Sequence, residues 1–179
     1  MKYFLPILIV SLIMVSIVSA KLGFNNPNIP FIKYAKSVDN IYGEMWYNNR
    51  SGLPLEYSEP NTWYPLLFTN AGKLNGFIFI GNSNLTAGVN GLYKACYIAS
   101  GSGINNHEYI TSILINGVEQ EKCSSYKKMA ASGDVISMNG CCLIDLVVND
   151  NIQVATMDYG GTGNVVYHSA NLNLIRIEK

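Results

Sequence analysis

Short runs of β-branched, aromatic and aliphatic residues recur along the chain, separated by turns rich in Asn and Gly. Such runs are typical of strands, because β-branched and aromatic side chains pack well on a pleated surface. The clearest pair of runs covers residues 109–115 and 118–124, joined by Asn116-Gly117. Asn-Gly between two strand-like runs is the strongest short-range hairpin signal, since both turn residues need a positive φ. The sequence therefore predicts a β-hairpin here.

The same pattern continues through most of the chain. Other strand signals cover residues 41–47, 63–68, 74–80, 91–101, 141–148, 152–157, 165–168 and 172–177. About eight to ten short strands without an amphipathic helix predict an all-β sandwich or barrel. No internal repeat of fixed period is visible, which argues against a propeller or a solenoid.

The N-terminus has the pattern of a signal peptide. Lys2 precedes an apolar stretch, and small residues lead up to Ala20, where a signal peptidase would cleave. The stretch is shorter than the roughly 20 apolar residues that cross a bilayer. We therefore expect no stable membrane span after cleavage, and an uncleaved signal anchor is the alternative. This divides the chain into a signal peptide at 1–20, an extended, proline-containing arm at 21–40 and one β-domain at 41–179.

Charge is sparse and balanced along the chain. Lys and Arg together number 12, Asp and Glu together number 12, and charged residues make up 13% of the sequence. A nucleic-acid binder needs a basic stripe to neutralise phosphates, so we expect no nucleic-acid partner. Together with the leader, this composition predicts a secreted or extracellular protein.

The cysteines are Cys96, Cys123, Cys141 and Cys142. An even number in an oxidising compartment permits two disulfides and leaves their connectivity open, and buried free thiols are the alternative. The spacing fits no zinc pattern. If Cys141 and Cys142 lie on one strand, their side chains point to opposite faces. They would then have different partners, or one of them would stay free.

Two sequons mark candidate sites of N-glycosylation. They are Asn49-Arg50-Ser51 and Asn84-Leu85-Thr86. Both lie in predicted loops, where a glycan can be carried without disturbing a core. Asn49 and Asn84 are therefore the candidate glycan sites.

No group of residues predicts catalysis. His107 lies in a polar loop and His168 precedes the last strand, and neither has a serine in a Gly-x-Ser-x-Gly elbow nearby. Carboxylates such as Asp158 are scattered, and nothing in the sequence brings two of them together as a glycosidase requires. The turn at Asp150 lacks the spaced acidic residues of a calcium loop. We expect no catalytic residue, no cofactor and no metal site.

Several motifs follow one another in an order that resembles one family. They lie at 41–49, 91–93, 113–117, 143–146, 149–150, 152–156 and 168–177. The order is similar to that of the jelly-roll family of tumour necrosis factor and the globular heads of complement. It is closest to the branch found among phage and large DNA virus structural proteins. The last strand of that branch commonly reads His-Ala-Asn-Leu-Asn-Leu-Val-Arg-Ile, against His-Ser-Ala-Asn-Leu-Asn-Leu-Ile-Arg-Ile here. The leader and the cysteines depart from the viral pattern.

The resemblance implies a ten-stranded antiparallel jelly-roll sandwich that assembles as a homotrimer. It also implies apolar and aromatic side chains along the threefold axis and exposed loops that bind the partner. Aromatic residues do cluster early in the domain, at Trp46, Tyr47, Tyr57, Trp63 and Tyr64. Burial in the core or on the axis is the favoured interpretation, and an exposed platform that stacks on sugars or a protein is the alternative.

Three hypotheses of function follow. The leading one is a non-enzymatic, homotrimeric jelly-roll protein on the cell exterior or the virion surface, acting in attachment or surface structure, with a cell-surface glycan or protein as its partner. The second is a secreted fibre or matrix subunit, in which the arm of residues 21–40 adds a strand to a neighbour's sheet. The third is a secreted carbohydrate-binding module.

Overall fold

The computed structural model describes residues 40–178. The signal peptide expected at 1–20 lies outside the described residues, as do Lys179 and the arm of residues 21–40 except for Asn40. The strands are β1 (Tyr42–Leu55), β2 (Tyr64–Pro65), β3 (Asn70–Asn75), β4 (Phe77–Ile80), β5 (Asn84–Ala87), β6 (Gly91–Ser102), β7 (Glu108–Ile115), β8 (Val118–Glu119), β9 (Ser125–Lys128), β10 (Val135–Leu146), β11 (Asn151–Tyr159) and β12 (Val165–Glu178). A 3₁₀ turn at Glu121–Cys123 precedes β9.

The strands form two antiparallel sheets. The first sheet has the order β10-β6-β12-β1-β3, and the second has the order β4-β5-β11-β7-β8, with β2 beside β11 and β9 beside β7. The last strand lies between β1 and β6, so strands that are neighbours in a sheet are distant in sequence. In the described part of the chain, ten strands have four or more residues, and β2 and β8 have two each. The fold class expected from the sequence, an all-β jelly-roll sandwich, is confirmed.

The core lies between the two sheets. Along β6, Tyr93, Ala95, Tyr97 and Ala99 are buried, and the residues between them lie on the other face. This is the period of two that a strand imposes on its side chains. Large tyrosine rings alternate with alanines, which leaves room for side chains from the facing sheet, such as Ile113 of β7. The core is therefore built from rings and small residues as much as from aliphatic ones.

The prediction of a single strand at 74–80 is wrong, because the chain changes sheet at Gly76. This residue has φ +78°, a conformation that glycine adopts without strain. A Cβ at this position would come within 2.8 Å of Ile41 Cγ2. β3 therefore pairs with β1 in the first sheet, whereas β4 pairs with β5 in the second. The apolar run is continuous in sequence but belongs to two layers.

The Asn-Gly hairpin is confirmed, but its return strand is shorter than expected. Asn116 has φ +52° and Gly117 has φ +81°, as a two-residue hairpin turn requires. The chain then pairs with β7 over only two residues, passes through the 3₁₀ turn and pairs with β7 again as β9. The strand expected at 141–148 begins earlier, at Val135, and ends at Leu146. The run at 63–68 forms only the two-residue β2.

Candidate functional site

The outer face of the first sheet carries side chains from four strands in register. One row across β1, β12, β6 and β10 consists of Trp46, Asn171, Ile98 and Asn139. The next row consists of Glu44, Asn173, Cys96 and Cys141, and the row after it of Tyr42, Ile175, Lys94 and Leu143. Apolar, amide and sulfur groups therefore dominate these rows, and only Glu44 and Lys94 are charged.

Large apolar side chains on this outer face are exposed. Trp46 is 39% exposed, Ile98 51%, Leu143 47% and Ile175 56%. Exposed apolar residues that are grouped on one face of a sheet mark interaction sites more often than single scattered ones do. The outer face of the first sheet is therefore the candidate interaction surface.

A shallow depression of about 440 Å³ surrounds Trp46 on this face. Glu44, Asn48, Ile98 and Asn171 are among the residues that line it. The Asn171 amide donates a hydrogen bond to Glu44 Oε1 over 3.2 Å, which positions two of the polar groups at its rim. An indole beside carboxylate and amide groups can stack on one face of a sugar ring and bind its hydroxyls.

The early aromatic cluster divides between core and surface. Tyr47 and Tyr57 are buried in the core, as the favoured interpretation expected, and Trp63 and Tyr64 are half-buried. Trp46 lies on the outer face. Of this cluster, Trp46 is thus the residue exposed enough to contact a ligand or a partner subunit.

Both pairs of cysteines form disulfides, on opposite faces of the first sheet. Cys96–Cys141 joins directly opposite residues of β6 and β10 on the outer face, with a Cα–Cα distance of 4.1 Å. Cys123–Cys142 joins the 3₁₀ turn to the core side of β10, with a Cα–Cα distance of 5.3 Å. The adjacent cysteines thus have different partners, since neighbouring strand residues face opposite ways.

The sequons do not lie in loops. Asn49 lies within β1, at the irregularity between Asn48 and Leu53 where the pairing with β12 shifts register. It is exposed, and its side-chain oxygen accepts a hydrogen bond from the Ser51 amide over 3.0 Å. Asn84 begins β5 and is half-buried, and its side-chain oxygen has no hydrogen-bond partner among residues 40–178. The two candidate glycan sites therefore differ in access.

His107 is not a free surface residue, because it pairs with a buried aspartate. Asp158 is 1% exposed, and its Oδ2 accepts hydrogen bonds from His107 Nδ1 over 2.6 Å and from the Gly163 amide over 2.5 Å. Tyr109 stacks on the imidazole and donates to the Gly163 carbonyl over 2.9 Å. The pair thus fixes the loop between β11 and β12 at one end of the sandwich. In sequence the two residues are 51 positions apart, so their pairing had no local signal.

His168 lies on β12, where its imidazole contacts a serine of β6. Its Nε2 lies 3.2 Å from the Ser102 hydroxyl, across neighbouring strands of the first sheet. Among residues 40–178 no three His, Cys, Asp or Glu side chains lie close enough together to hold a metal ion.

No helix in this part of the chain is long and apolar enough to cross a membrane.

A buried cluster of hydroxyl groups lies between the sheets. Burial raises the pKa of Tyr57 and Tyr97, and raises that of Tyr167 to about 12. Tyr97 donates to the Thr111 carbonyl over 2.5 Å. The Tyr167 hydroxyl lies beside the hydroxyl groups of Thr156 and Thr111, and among residues 40–178 it makes no hydrogen bond of ordinary geometry. With phenols held neutral in this way, the cluster is suited to packing rather than to proton transfer.

Solved structures with the same jelly roll come from the complement and tumour necrosis factor groups. The globular domain of zebrafish complement 1qA protein aligns with a TM-score of 0.56 and 16% identity, over 78% of this chain and 98% of its own. Eiger TNF from S. frugiperda aligns with a TM-score of 0.50 and 14% identity, over 78% of this chain and 94% of its own. No protein-family model matches the chain, and no curated protein matches it. The likeness at this identity establishes the fold, which the sequence motifs had indicated.

Proposed function

We propose that this protein is a non-enzymatic homotrimer exposed outside the cell or on a virion surface, where it acts in attachment or surface structure. Its subunits meet through the outer face of the first sheet. The observation that carries this proposal is the set of exposed apolar side chains in register around Trp46 and Ile98. Closed symmetric oligomers commonly bury such a surface.

The energetics favour burial of this surface. Covering the exposed part of Trp46, Ile98 and Ile175 contributes about 1 kcal/mol for each side chain. The asparagines between them can bind each other or their counterparts across the interface, as the bond from Asn173 to Asn171 already illustrates within one subunit. Few charges would have to be desolvated, which is the main cost of burying a surface.

Location outside the cytosol is supported by the two disulfides. Disulfides persist in oxidising compartments and are rare in the cytosol. The leader-like N-terminus indicates the same compartment. Attachment and surface structure are roles that need no reacting groups, and the His107–Asp158 pair already serves to hold the loop between β11 and β12.

Light scattering coupled to size-exclusion chromatography tests the trimer. The wild-type chain should elute with three times the monomer mass, and Ile98→Lys should shift it to monomer. Ile78→Lys is the matched control, because Ile78 is 61% exposed on the second sheet and should leave the trimer intact. A monomeric wild type, or equal loss with both variants, would refute the proposal. Deleting residues 21–40 should leave trimers, whereas the fibre model expects polymerisation to stop.

A carbohydrate-binding module is the second candidate, and the Trp46 depression favours it. In that case Trp46→Ala abolishes binding on a glycan array and leaves the oligomeric state unchanged. In the trimer, Trp46 is covered, so the same substitution weakens assembly instead. Measuring both properties on one variant distinguishes the two candidates.

A further inference from the structure

The two disulfides of this protein lie in different surroundings. Cys123 is 1% exposed and packs within the core, together with the half-buried Cys142. Cys141 is exposed on the outer face of β10, and Cys96 beside it is half-buried. β10 is an edge strand of its sheet, and the bridge is open to solvent at Cys141, above the outer face.

The local geometry of the exposed bridge also differs. Its cysteines are directly opposite each other, with Cα atoms 4.1 Å apart, whereas most disulfides span 4.4–6.8 Å. The buried bridge, at 5.3 Å, lies inside that range. Exposed disulfides have higher reduction potentials and are the labile ones in proteins, so the exposure of Cys141 is the difference that matters.

We propose that Cys96–Cys141 is a thiol–disulfide exchange site that dithiol reductants open while Cys123–Cys142 stays closed. The reductant's thiolate attacks the exposed sulfur of Cys141, the bond to Cys96 breaks, and Cys96 leaves as a thiolate that takes up a proton. The second thiol of the reductant then attacks the mixed disulfide and releases Cys141 as a thiol. The dithiol is oxidised to a disulfide, and two electrons pass to the protein.

The alternation of the strand keeps the two bridges from exchanging with each other. Cys142 follows Cys141 in sequence, but its side chain is on the core face and is held by Cys123. It therefore cannot reach a mixed disulfide formed at Cys141 on the outer face. Only Cys96 or the reductant's second thiol can resolve that intermediate, so opening is reversible and does not scramble the pairs.

Loss of the exposed bridge should leave the fold intact. β6 and β10 stay paired along their whole length, from Val135 opposite Ser102 to Leu146 opposite Gly91. The buried bridge still ties β10 to the 3₁₀ turn. Reduction would therefore produce a folded protein with two thiols on its outer face, next to Ile98 and Asn173.

Timed reduction of the native full chain with dithiothreitol tests the proposal. Free thiols are trapped with N-ethylmaleimide and assigned by peptide mass spectrometry. In dissociated subunits, Cys96 and Cys141 should be labelled at least about tenfold faster than the buried pair, since exchange depends on access to the sulfur. In a Cys96→Ser/Cys141→Ser variant the fast phase should disappear, and near-ultraviolet circular dichroism should report a retained fold.

A second sample tests the exchange site independently of the proposed trimer. The same reduction is run on the Ile98→Lys variant, with the mass of both samples measured by light scattering. Selective labelling of Cys96 and Cys141 in either sample supports the exchange site, whether or not trimers form. Equal rates for the two bridges in both samples, or faster labelling of Cys123 and Cys142, would overturn it.

Discussion

Replacing His107 by alanine should destabilise the protein far more than the loss of one partly exposed side chain suggests. Among the residues that the structure describes, the substitution leaves the Asp158 carboxylate with the Gly163 amide as its only donor, because its other oxygen has no partner there. A hydrogen bond to a charged group contributes about 1.5–3 kcal/mol, and removing one partner of a buried pair costs about 3–5 kcal/mol. Since the imidazole is 29% exposed, we expect a loss at the lower end, about 3 kcal/mol.

Asp158→Asn should cost less, about 1–2 kcal/mol, because the amide has the same shape and still accepts from Gly163. Once the charge has been removed, losing His107 no longer strands a carboxylate. The double variant should therefore be about as stable as His107→Ala alone, with a coupling energy of about 1–2 kcal/mol. Asp145→Asn, at an exposed position of β10, is the control and should change stability by less than about 0.5 kcal/mol.

Urea unfolding, followed by tryptophan fluorescence at one fixed protein concentration with the disulfides intact, measures these differences. Fixed concentration is needed because assembly adds to apparent stability. Additive losses within about 0.5 kcal/mol would show that the two side chains do not act as a pair. A loss below about 1 kcal/mol for His107→Ala would show that Asp158 is solvated or otherwise compensated.

Three further predictions concern glycans and tyrosines. Expressed in a glycosylating host, the chain should carry a glycan at exposed Asn49 and none at Asn84, which is half-buried at the start of β5. Loss of a mass shift with Asn49→Gln but not with Asn84→Gln checks this. Tyr167→Phe should stabilise the fold by about 1 kcal/mol, because it removes a buried hydroxyl that makes no hydrogen bond of ordinary geometry within the described part of the chain. Tyr97→Phe should destabilise it by about 1 kcal/mol through loss of its hydrogen bond to a main-chain carbonyl. Because the folded pKa of Tyr167 is raised to about 12 from roughly 10 in the unfolded chain, its own contribution to stability should fall by about 2–3 kcal/mol as pH rises from about 10 to 12. Tyr57 and Tyr97, whose pKa burial also raises, add to the total loss. In Tyr167→Phe, denaturant melts should show a smaller alkaline loss.

Local rules explain which parts of the fold the sequence predicted. The hairpin at Asn116-Gly117 depends on two residues that accept positive φ, and the opposite orientations of Cys141 and Cys142 depend only on their lying on one strand. The change of sheet at Gly76 has a different origin. The run on either side is apolar, and the crossing depends on Ile41 packing against the glycine, a contact between distant residues.

The candidate sites were less predictable for the same reason. His107 meets Asp158 because the antiparallel register of β7 and β11 places Tyr109 opposite Asp158, and this register is a property of the whole sheet. The exposure of Trp46 could not be predicted either. Alternation along β1 assigns Trp46 to one face of the sheet, but it does not show which face packs against the second sheet. Residue types identified the candidates, and only the pairing of strands showed which of them meet.

Trimer formation and disulfide exchange concern one surface, so they should be physically linked. Cys96 is two residues from Ile98 on β6 and points to the same side. A trimer that covers Ile98 therefore also shields Cys96–Cys141 from a reductant, whereas the buried Cys123–Cys142 bridge is shielded in either state. Across a dilution series, the labelling rate of Cys141 should rise as the trimer mass falls, because rates of exchange follow access. A labelling rate that stays constant while trimers dissociate would mean that the subunit contact lies elsewhere on the molecule.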